Sequence, residues 1–148
     1  MRGAAGLAGE AEVTLYGRDD LAWDELARVG LEFLVERARL GKLTSYTELT
    51  ATLVRRTGLP GFDFSRADER AAMGHLLYLI VELDRPATGL MISALVTYLD
   101  ANDAGSGFYG YAQDLGMLPR NASAMQKLEF WAGQVKALHE YYAVKPPG

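Results

Sequence analysis

The sequence of 148 residues contains no cysteine and only two histidines. Without cysteine, the chain can form no disulfide framework, no thiolate metal site and no cysteine nucleophile. The histidines, His75 and His139, are too few and too far apart in sequence to make a metal-binding motif. The sequence therefore predicts no metal and no cofactor, and it suits a reducing compartment.

Long apolar runs and an excess of positive charge are also missing. No apolar run approaches the roughly 20 residues that span a bilayer, and the N-terminal residues lack the continuous apolar stretch of a signal peptide. The net charge is −4 at pH 7, whereas nucleic-acid-binding proteins more often carry a basic excess. We therefore expect a cytoplasmic protein with no membrane partner, in which DNA binding would require a local basic patch.

Catalytic combinations of side chains are scarce as well. Asp100 and Asp103 flank a turn, but the spacing of a calcium-binding loop fails because its twelfth position is Tyr111. No nucleophile has a neighbouring general base in the sequence. We therefore expect no catalytic residue, and a protein that is not an enzyme.

The segment GSGFYG, residues 105–110, matches the pattern G-x-G-x-x-G that can hold the phosphates of a dinucleotide. That fingerprint requires a tight turn directly after a strand, then a helix and a second parallel strand. Here residues 101–104 intervene after the strand-like run, and no second strand follows. We expect instead a β-turn whose glycines supply positive φ angles, anchored to the core by Phe108, Tyr109 and Tyr111.

Apolar residues at helical spacing predict three helices in the first part of the chain, at about 20–40, 45–57 and 65–84. Their starts are marked by possible N-caps, and the first two helices end at glycines. The caps are Asp19 or Asp20, Ser45 in a capping box with Glu48, and Ser65; the glycines are Gly41 and Gly58. On the third helix Ala67, Ala71, Gly74, Tyr78 and Val81 share one face.

The second part of the chain predicts a hairpin and a last helix. Residues 91–100 are rich in β-branched side chains and alternate as a half-buried strand does, and residues 107–112 form a short returning strand. The last helix follows Asn121 and carries an apolar face that includes Trp131. We expect one domain at 19–143, preceded by a flexible segment at 1–18 and followed by a tail at 144–148.

This order of elements is that of a winged helix: three helices, then a two-stranded hairpin whose tip is the wing. The fold class expected is therefore mainly α with a small β-hairpin (α+β), a winged-helix-like core plus a C-terminal helix. The second and third helices form the helix-turn-helix, and the GSG tripeptide lies at or beside the wing tip.

The segment GKLTSYTEL, residues 41–49, is similar to the entry into the helix-turn-helix of alkyltransferase-type DNA-repair domains. The nucleophile motif of that family, Pro-Cys-His-Arg, is absent, because the chain has no cysteine. The resemblance therefore implies a winged-helix-like fold without alkyl transfer. The longer run that ends in YAQDLG, residues 111–116, resembles small uncharacterised bacterial proteins and implies no activity.

Two functions remain open from the sequence. The first is a non-catalytic, winged-helix-like DNA-binding or regulatory protein. Residues 37–56 hold five basic residues and one acidic residue, and such a patch can meet phosphates of duplex DNA. The candidate nucleic-acid-binding residues are Arg39, Lys42, Arg55, Arg56, Arg66 and Arg70.

The alternative is a protein-interaction module, such as an immunity or adaptor protein, that uses the same winged-helix-like surface. The acidic composition and the acidic, aromatic turn support it. The candidate partner-binding residues are Asp100, Asp103, Phe108 and Tyr109. In either function, the C-terminal helix with Trp131 can mediate a homodimer.

Overall fold

The computed structural model describes residues 14–98 and 104–143, a mainly helical chain with a small two-stranded sheet. This confirms the coarse α+β class expected from the sequence. The elements in chain order are α1 (Asp20–Arg39), β1 (Thr44–Ser45), α2 (Tyr46–Thr57), α3 (Ala67–Thr88), a 3₁₀ turn (Ile92–Leu95), β2 (Val96–Thr97), α4 (Ser106–Asp114) and α5 (Ala124–Tyr142).

Local capping fixes three of the helix starts. The Asp19 carboxylate accepts the Ala22 N–H at 2.8 Å, and the Ser45 hydroxyl accepts the Glu48 N–H at 3.0 Å. Ser123 caps α5 within a full capping box. These side chains satisfy N–H groups that have no partner within the helix. The cap predicted at Ser45 is confirmed, although the Glu48 carboxylate accepts from Thr44 and Arg37.

The start and the end of α3 differ from the prediction. Ser65 is not its N-cap, because its hydroxyl donates to the Asp63 carboxylate at 2.6 Å, and the helix begins at Ala67. The helix also continues past the predicted end and includes Pro86 in its last turn. Pro86 has no N–H to donate to the Glu82 carbonyl, so one helical hydrogen bond is missing in this turn. Gly89, with φ 70°, ends the helix in the left-handed conformation.

The predicted hairpin is wrong: the two strands are parallel, with Thr44 paired to Val96 and Ser45 to Thr97. Parallel strands need a long crossover connection, and α2 and α3 supply it here. Residues 91–100 do not form one strand, since a 3₁₀ turn occupies 92–95. The predicted wing is also absent from the described residues, since 107–112 belong to α4.

Helix α4 forms because its buried side chains recur at helical spacing. Phe108, Tyr109 and Ala112 lie on one face and enter the core. Gly105, the N-cap, has φ −73°, and neither Gly107 nor Gly110 has a positive φ angle. The expectation of a glycine β-turn with positive φ is therefore wrong, whereas the anchoring of this segment by its aromatic side chains is confirmed.

The core is one cluster in which α1 is central. Helix α1 contacts α2, α3, α5 and the 3₁₀ turn. A Cβ atom on Gly30 would lie 2.7 Å from Cδ1 of Ile80, so the missing side chain allows α1 and α3 to approach closely. The buried face of α3 includes Met73, Leu76 and Ile80. Of the face that the sequence singled out on this helix, only Val81 is buried.

Helix α5 covers the 3₁₀ turn. The Trp131 indole N–H donates to the Ala94 carbonyl at 2.8 Å, and the Gln134 amide oxygen accepts the Met91 N–H at 2.8 Å. Leu138 is fully buried. The helix predicted around Trp131 is therefore confirmed, with Trp131 and Leu138 buried against the core and Leu128 exposed.

Residues 14–18, which the sequence assigns to the flexible segment, form a turn held against α3. The Arg18 guanidinium donates two hydrogen bonds of 3.0 Å to the Glu69 carboxylate and lies 4.2 Å from the centre of the Phe62 ring. This ion pair lowers the pKa of Glu69. The tail at 144–148 lies outside the described residues.

Candidate functional site

A cleft of about 960 Å³ opens between α3 and the start of α4, and we call it the aromatic cleft. Its third wall comes from the residues that follow the two strands. The exposed face of α3 contributes Gly74, where a side chain would meet no atom within 4 Å. Six aromatic side chains line the cleft: Tyr46, Phe64, Tyr78, Tyr98, Phe108 and Tyr111.

The parallel strand pairing sets Tyr46 beside Tyr98. Each tyrosine directly follows a strand, and the two strands are in register, so the two rings stand 5.1 Å apart between centroids. The Tyr46 ring also lies 6.3 Å from that of Phe64. Burial and the neighbouring Tyr98 raise the pKa of Tyr46 to about 12, against a hydrogen bond from the Gly105 backbone that lowers it. The Tyr46 phenol is therefore neutral at pH 7.

The N-terminus of α4 opens into the aromatic cleft at Ser106 and Gly107. No side chain caps this helix at Gly105. The Phe108 N–H donates to the Gly105 carbonyl at 3.0 Å, but the N–H groups of Ser106 and Gly107 have no acceptor among the described residues. Such N–H groups carry the positive end of the helix dipole.

Ser93 contributes a hydroxyl to the wall of the aromatic cleft. The residue lies in the 3₁₀ turn and is 5% exposed. No side chain or backbone group among the described residues hydrogen-bonds this hydroxyl. A ligand in the cleft could therefore hydrogen-bond it without displacing a protein group.

The two ends of the aromatic cleft differ in charge. At the end near Phe64, the Arg70 guanidinium donates to the Phe64 carbonyl at 2.8 Å and pairs with no carboxylate among the described residues. At the other end, Tyr78 and Tyr111 pack edge to face at 5.2 Å. The Tyr111 hydroxyl donates to the Glu82 carboxylate. Burial, followed by this hydrogen bond, raises the pKa of Tyr111.

The arginines and the lysine predicted to bind nucleic acid differ in their partners. Arg56 makes two hydrogen bonds, of 2.9 and 3.0 Å, to the Glu36 carboxylate, and this contact lowers the pKa of Glu36. Arg66 pairs with Asp68 at 2.6 Å. Within the described part of the chain, three more form no ion pair: Arg39, Lys42 and Arg55. Arg70 alone of the six lines the aromatic cleft.

The candidate partner-binding residues divide into two groups. Asp100 and Asp103 lie outside the described residues. Phe108 and Tyr109 are 7% and 8% exposed, and their rings pack against each other at 5.2 Å. These two rings therefore offer little free surface to a protein partner, although Phe108 borders the aromatic cleft.

Sequence reasoning missed Tyr46, Tyr98 and Ser93 as members of one site. A signal was present, since Ser45-Tyr46 and Thr97-Tyr98 are both a hydroxyl residue followed by tyrosine. Read as a parallel pair, the two segments place both tyrosines at the same sheet edge. The hairpin interpretation separated them, because it paired the second segment with residues 107–112.

Over residues 14–98 and 104–143, no group of three or more acidic, histidine or cysteine side chains could hold a metal ion. None of the helices in these ranges is both long and apolar enough to cross a membrane. No protein-family model, curated protein or solved structure gives a significant match to the chain. The resemblance to alkyltransferase-type domains therefore remains an expectation.

Proposed function

We propose that the protein binds a small planar ligand in the aromatic cleft. The observation that carries this proposal is the cleft itself, about 960 Å³ in volume and lined by six aromatic rings. Ligand sites in proteins are concave, mostly apolar and about 300–1,000 Å³ in volume. Aromatic pairs contribute about 0.5–1.5 kcal/mol each beyond the area that they bury, so a planar ring system suits these walls.

Hydrogen-bonding groups in the walls support the same function. A ligand site needs a few polar groups that fix orientation within an apolar surface. The unpartnered hydroxyl of Ser93 and the N–H groups of Ser106 and Gly107 are such groups. Each would gain a hydrogen bond from a ligand without breaking one inside the protein.

Fluorescence titration with 2-naphthol, a neutral planar probe, tests this function. We expect saturable binding with a stoichiometry of one. Gly74→Trp places an indole in the open space of the cleft and should weaken binding at least about tenfold, or about 1.4 kcal/mol.

Gly133→Trp is the matched control for Gly74→Trp. Gly133 is also an exposed helical glycine whose Cβ would meet no atom within 4 Å, but it lies on α5, outside the cleft. This variant should bind 2-naphthol as the unmodified protein does. Absence of saturable binding, or equal losses in the two tryptophan variants, would contradict the proposal.

Duplex DNA binding by the α2–α3 pair is a second candidate. The observation that favours it is the presence of cations without an ion-pair partner among the described residues: Arg39, Lys42, Arg55 and Arg70. Cationic side chains that are not paired with carboxylates can contact the phosphates of DNA. The ion pairs of Arg56 and Arg66 argue against DNA binding, because each of these side chains is already paired with a carboxylate.

Anisotropy of a labelled random-sequence duplex at two salt concentrations tests this candidate. Binding through phosphates weakens as salt increases, with a log–log slope of about −0.9 per phosphate contact. Lys42, Arg55 and Arg70 replaced together by Gln should reduce this slope. The matched control replaces three exposed cations elsewhere, Arg28, Arg120 and Lys136, by Gln. No binding at low salt, or equal effects of the two triple variants, would exclude DNA binding through α2 and α3.

A further inference from the structure

We infer that the ligand of the aromatic cleft is an aromatic acid: a planar ring system with one carboxylate or phosphate group, bound at the N-terminus of α4. This inference rests on the proposed function and specifies its ligand. Three groups in the lining of the cleft favour an anion: the start of α4, Ser93 and Arg70.

The first of these groups is the start of α4. This nine-residue helix presents the N–H groups of Ser106 and Gly107 to the cleft without a capping side chain. Free N–H groups and the helix dipole together favour an anion at this position. A carboxylate or a phosphate oxygen would take the place of the missing cap.

The hydroxyl of Ser93 is an independent indication that the site takes a polar ligand atom. This residue is 5% exposed, and its hydroxyl has no partner among the described residues. Ser93 lies in the 3₁₀ turn and not in α4. Its hydroxyl is therefore a donor separate from the free N–H groups at the start of α4. An anionic oxygen accepts hydrogen bonds from both kinds of donor.

Arg70 supplies positive charge at the same end. Tyr46 lies between Arg70 and the start of α4. Its ring packs near Phe64, and its hydroxyl lies 2.9 Å from the position that a Cβ atom on Gly105 would take. The Arg70 guanidinium donates a hydrogen bond to the Phe64 carbonyl, and Gly105 is the N-cap of α4. The cation and the free N–H groups therefore flank the same tyrosine.

The opposite end of the cleft excludes a second anion. There the Glu82 carboxylate accepts from the Tyr111 hydroxyl, beside the Tyr78 ring. A like charge close to Glu82 is unfavourable, so the apolar part of the ligand belongs at this end. The cleft thus defines an orientation, with the anion at α4 and the ring between Gly74 and Tyr78.

Calorimetric titration with three matched probes tests the ligand class: 2-naphthoate, 2-naphthyl phosphate and the neutral 2-naphthamide. We expect at least one of the anions to bind about tenfold more tightly than the amide, because hydrogen bonds to ionised groups are the stronger ones. The better of the two anions identifies the acid group. Equal affinities for the amide and both anions would overturn the inference.

Ser106→Pro tests the position of the anion. Proline is well tolerated at the first position of a helix, and Gly105 already has the extended conformation, φ −73° and ψ 166°, that a following proline requires. The variant removes one N–H donor, whereas Ser106→Ala keeps it. We expect Ser106→Pro to reduce the preference for the anion over the amide about fivefold, and Ser106→Ala to reduce it less.

The outcomes separate the two proposals. Tight binding of the amide together with no preference for either anion would leave the aromatic cleft as a ligand site and refute the aromatic acid. Failure of all three probes and of 2-naphthol would refute the proposed function as well. An anion preference that Ser106→Pro leaves unchanged would place the anion away from α4 and overturn the inference, and Arg70→Gln would then show whether Arg70 provides the preference.

Discussion

Asp84 shows at the residue scale how burial and hydrogen bonding compete. Its carboxylate is 6% exposed and accepts from the Tyr142 hydroxyl, while its Oδ2 atom is buried without a partner. Burial raises the pKa of Asp84, against the hydrogen bond from the Tyr142 hydroxyl that lowers it. Burial and this hydrogen bond also raise the pKa of Tyr142. The ionised form of Asp84 is thus held at a cost to the folded state.

This cost predicts a pH dependence of stability. Because the pKa is higher in the folded protein than in the unfolded chain, Asp84 contributes stability below its unfolded pKa, and the contribution is lost as pH rises through the folded value. Asp84→Asn does not titrate, so its stability relative to the unmodified protein should rise across that window. Urea unfolding at a series of pH values measures this difference.

Asp114→Asn serves as the control for Asp84→Asn. Asp114 is an exposed carboxylate that pairs with Arg120 at 2.8 Å, and an exposed ion pair contributes little. Its replacement should shift stability by less than about 0.5 kcal/mol at any pH. A difference between the unmodified protein and Asp84→Asn that stays constant with pH would show that Asp84 is not held at a raised pKa.

At the scale of elements, the contact between α1 and α3 depends on a missing side chain. Gly30 is buried in the middle of α1, where glycine is about 1 kcal/mol less favourable than alanine. The Ile80 side chain occupies the space that an alanine methyl group would need. Glycine at this position therefore lowers the helix propensity of α1 but allows α1 and α3 to pack closely.

A double-mutant cycle tests this packing. In the Ile80→Val background the Cδ1 atom is gone, and Gly30→Ala should stabilise the protein by about 1 kcal/mol through helix propensity. In the unmodified background the same change should gain nothing or destabilise, because the Ile80 side chain must move. The coupling energy from urea unfolding is therefore expected to be about 1 kcal/mol. A coupling near zero would mean that Ile80 moves aside at no cost.

At the scale of the whole molecule, the buried side chains form one cluster that joins both halves of the chain. Trp23 on α1 packs against Phe62 and donates its indole N–H to the Leu15 carbonyl at 3.0 Å. Trp131 on α5, near the other end of the sequence, covers the 3₁₀ turn and donates to the Ala94 carbonyl. A single core that includes both indoles predicts one cooperative unfolding transition.

Single-tryptophan variants test this cooperativity. Trp23→Phe leaves only Trp131 as a fluorescent reporter, and Trp131→Phe leaves only Trp23. In each variant, we expect the urea midpoint from tryptophan fluorescence to coincide with the midpoint from far-ultraviolet circular dichroism. Either replacement should cost about 1–3 kcal/mol, because each leaves an acceptor carbonyl without its donor and removes part of a buried ring. Midpoints that differ within one variant would indicate two units that unfold separately.

Features that depend on near neighbours in the chain could be predicted from the sequence alone. The boundaries of α1, the cap at Ser45 and the glycine end of α2 follow from residues within four positions of each other. The amphipathic pattern of α5 likewise needs no knowledge of the rest of the chain. These predictions were confirmed because caps and helical periodicity act locally. The prediction at Ser65 was wrong because a nearby carboxylate, Asp63, takes its hydroxyl.

The pairing of the strands and the position of the aromatic cleft depend on contacts between residues far apart in the chain. Thr44 and Val96 are far apart in sequence, and nothing local distinguishes a parallel partner from a hairpin partner for a two-residue strand. The same pairing places the Tyr46 ring beside the Tyr98 ring. Helix α4 forms one wall of the aromatic cleft because its aromatic face is buried in the core. Strand propensity was high at residues 91–100, but residues 92–95 form a 3₁₀ turn that is buried against α1 and α5.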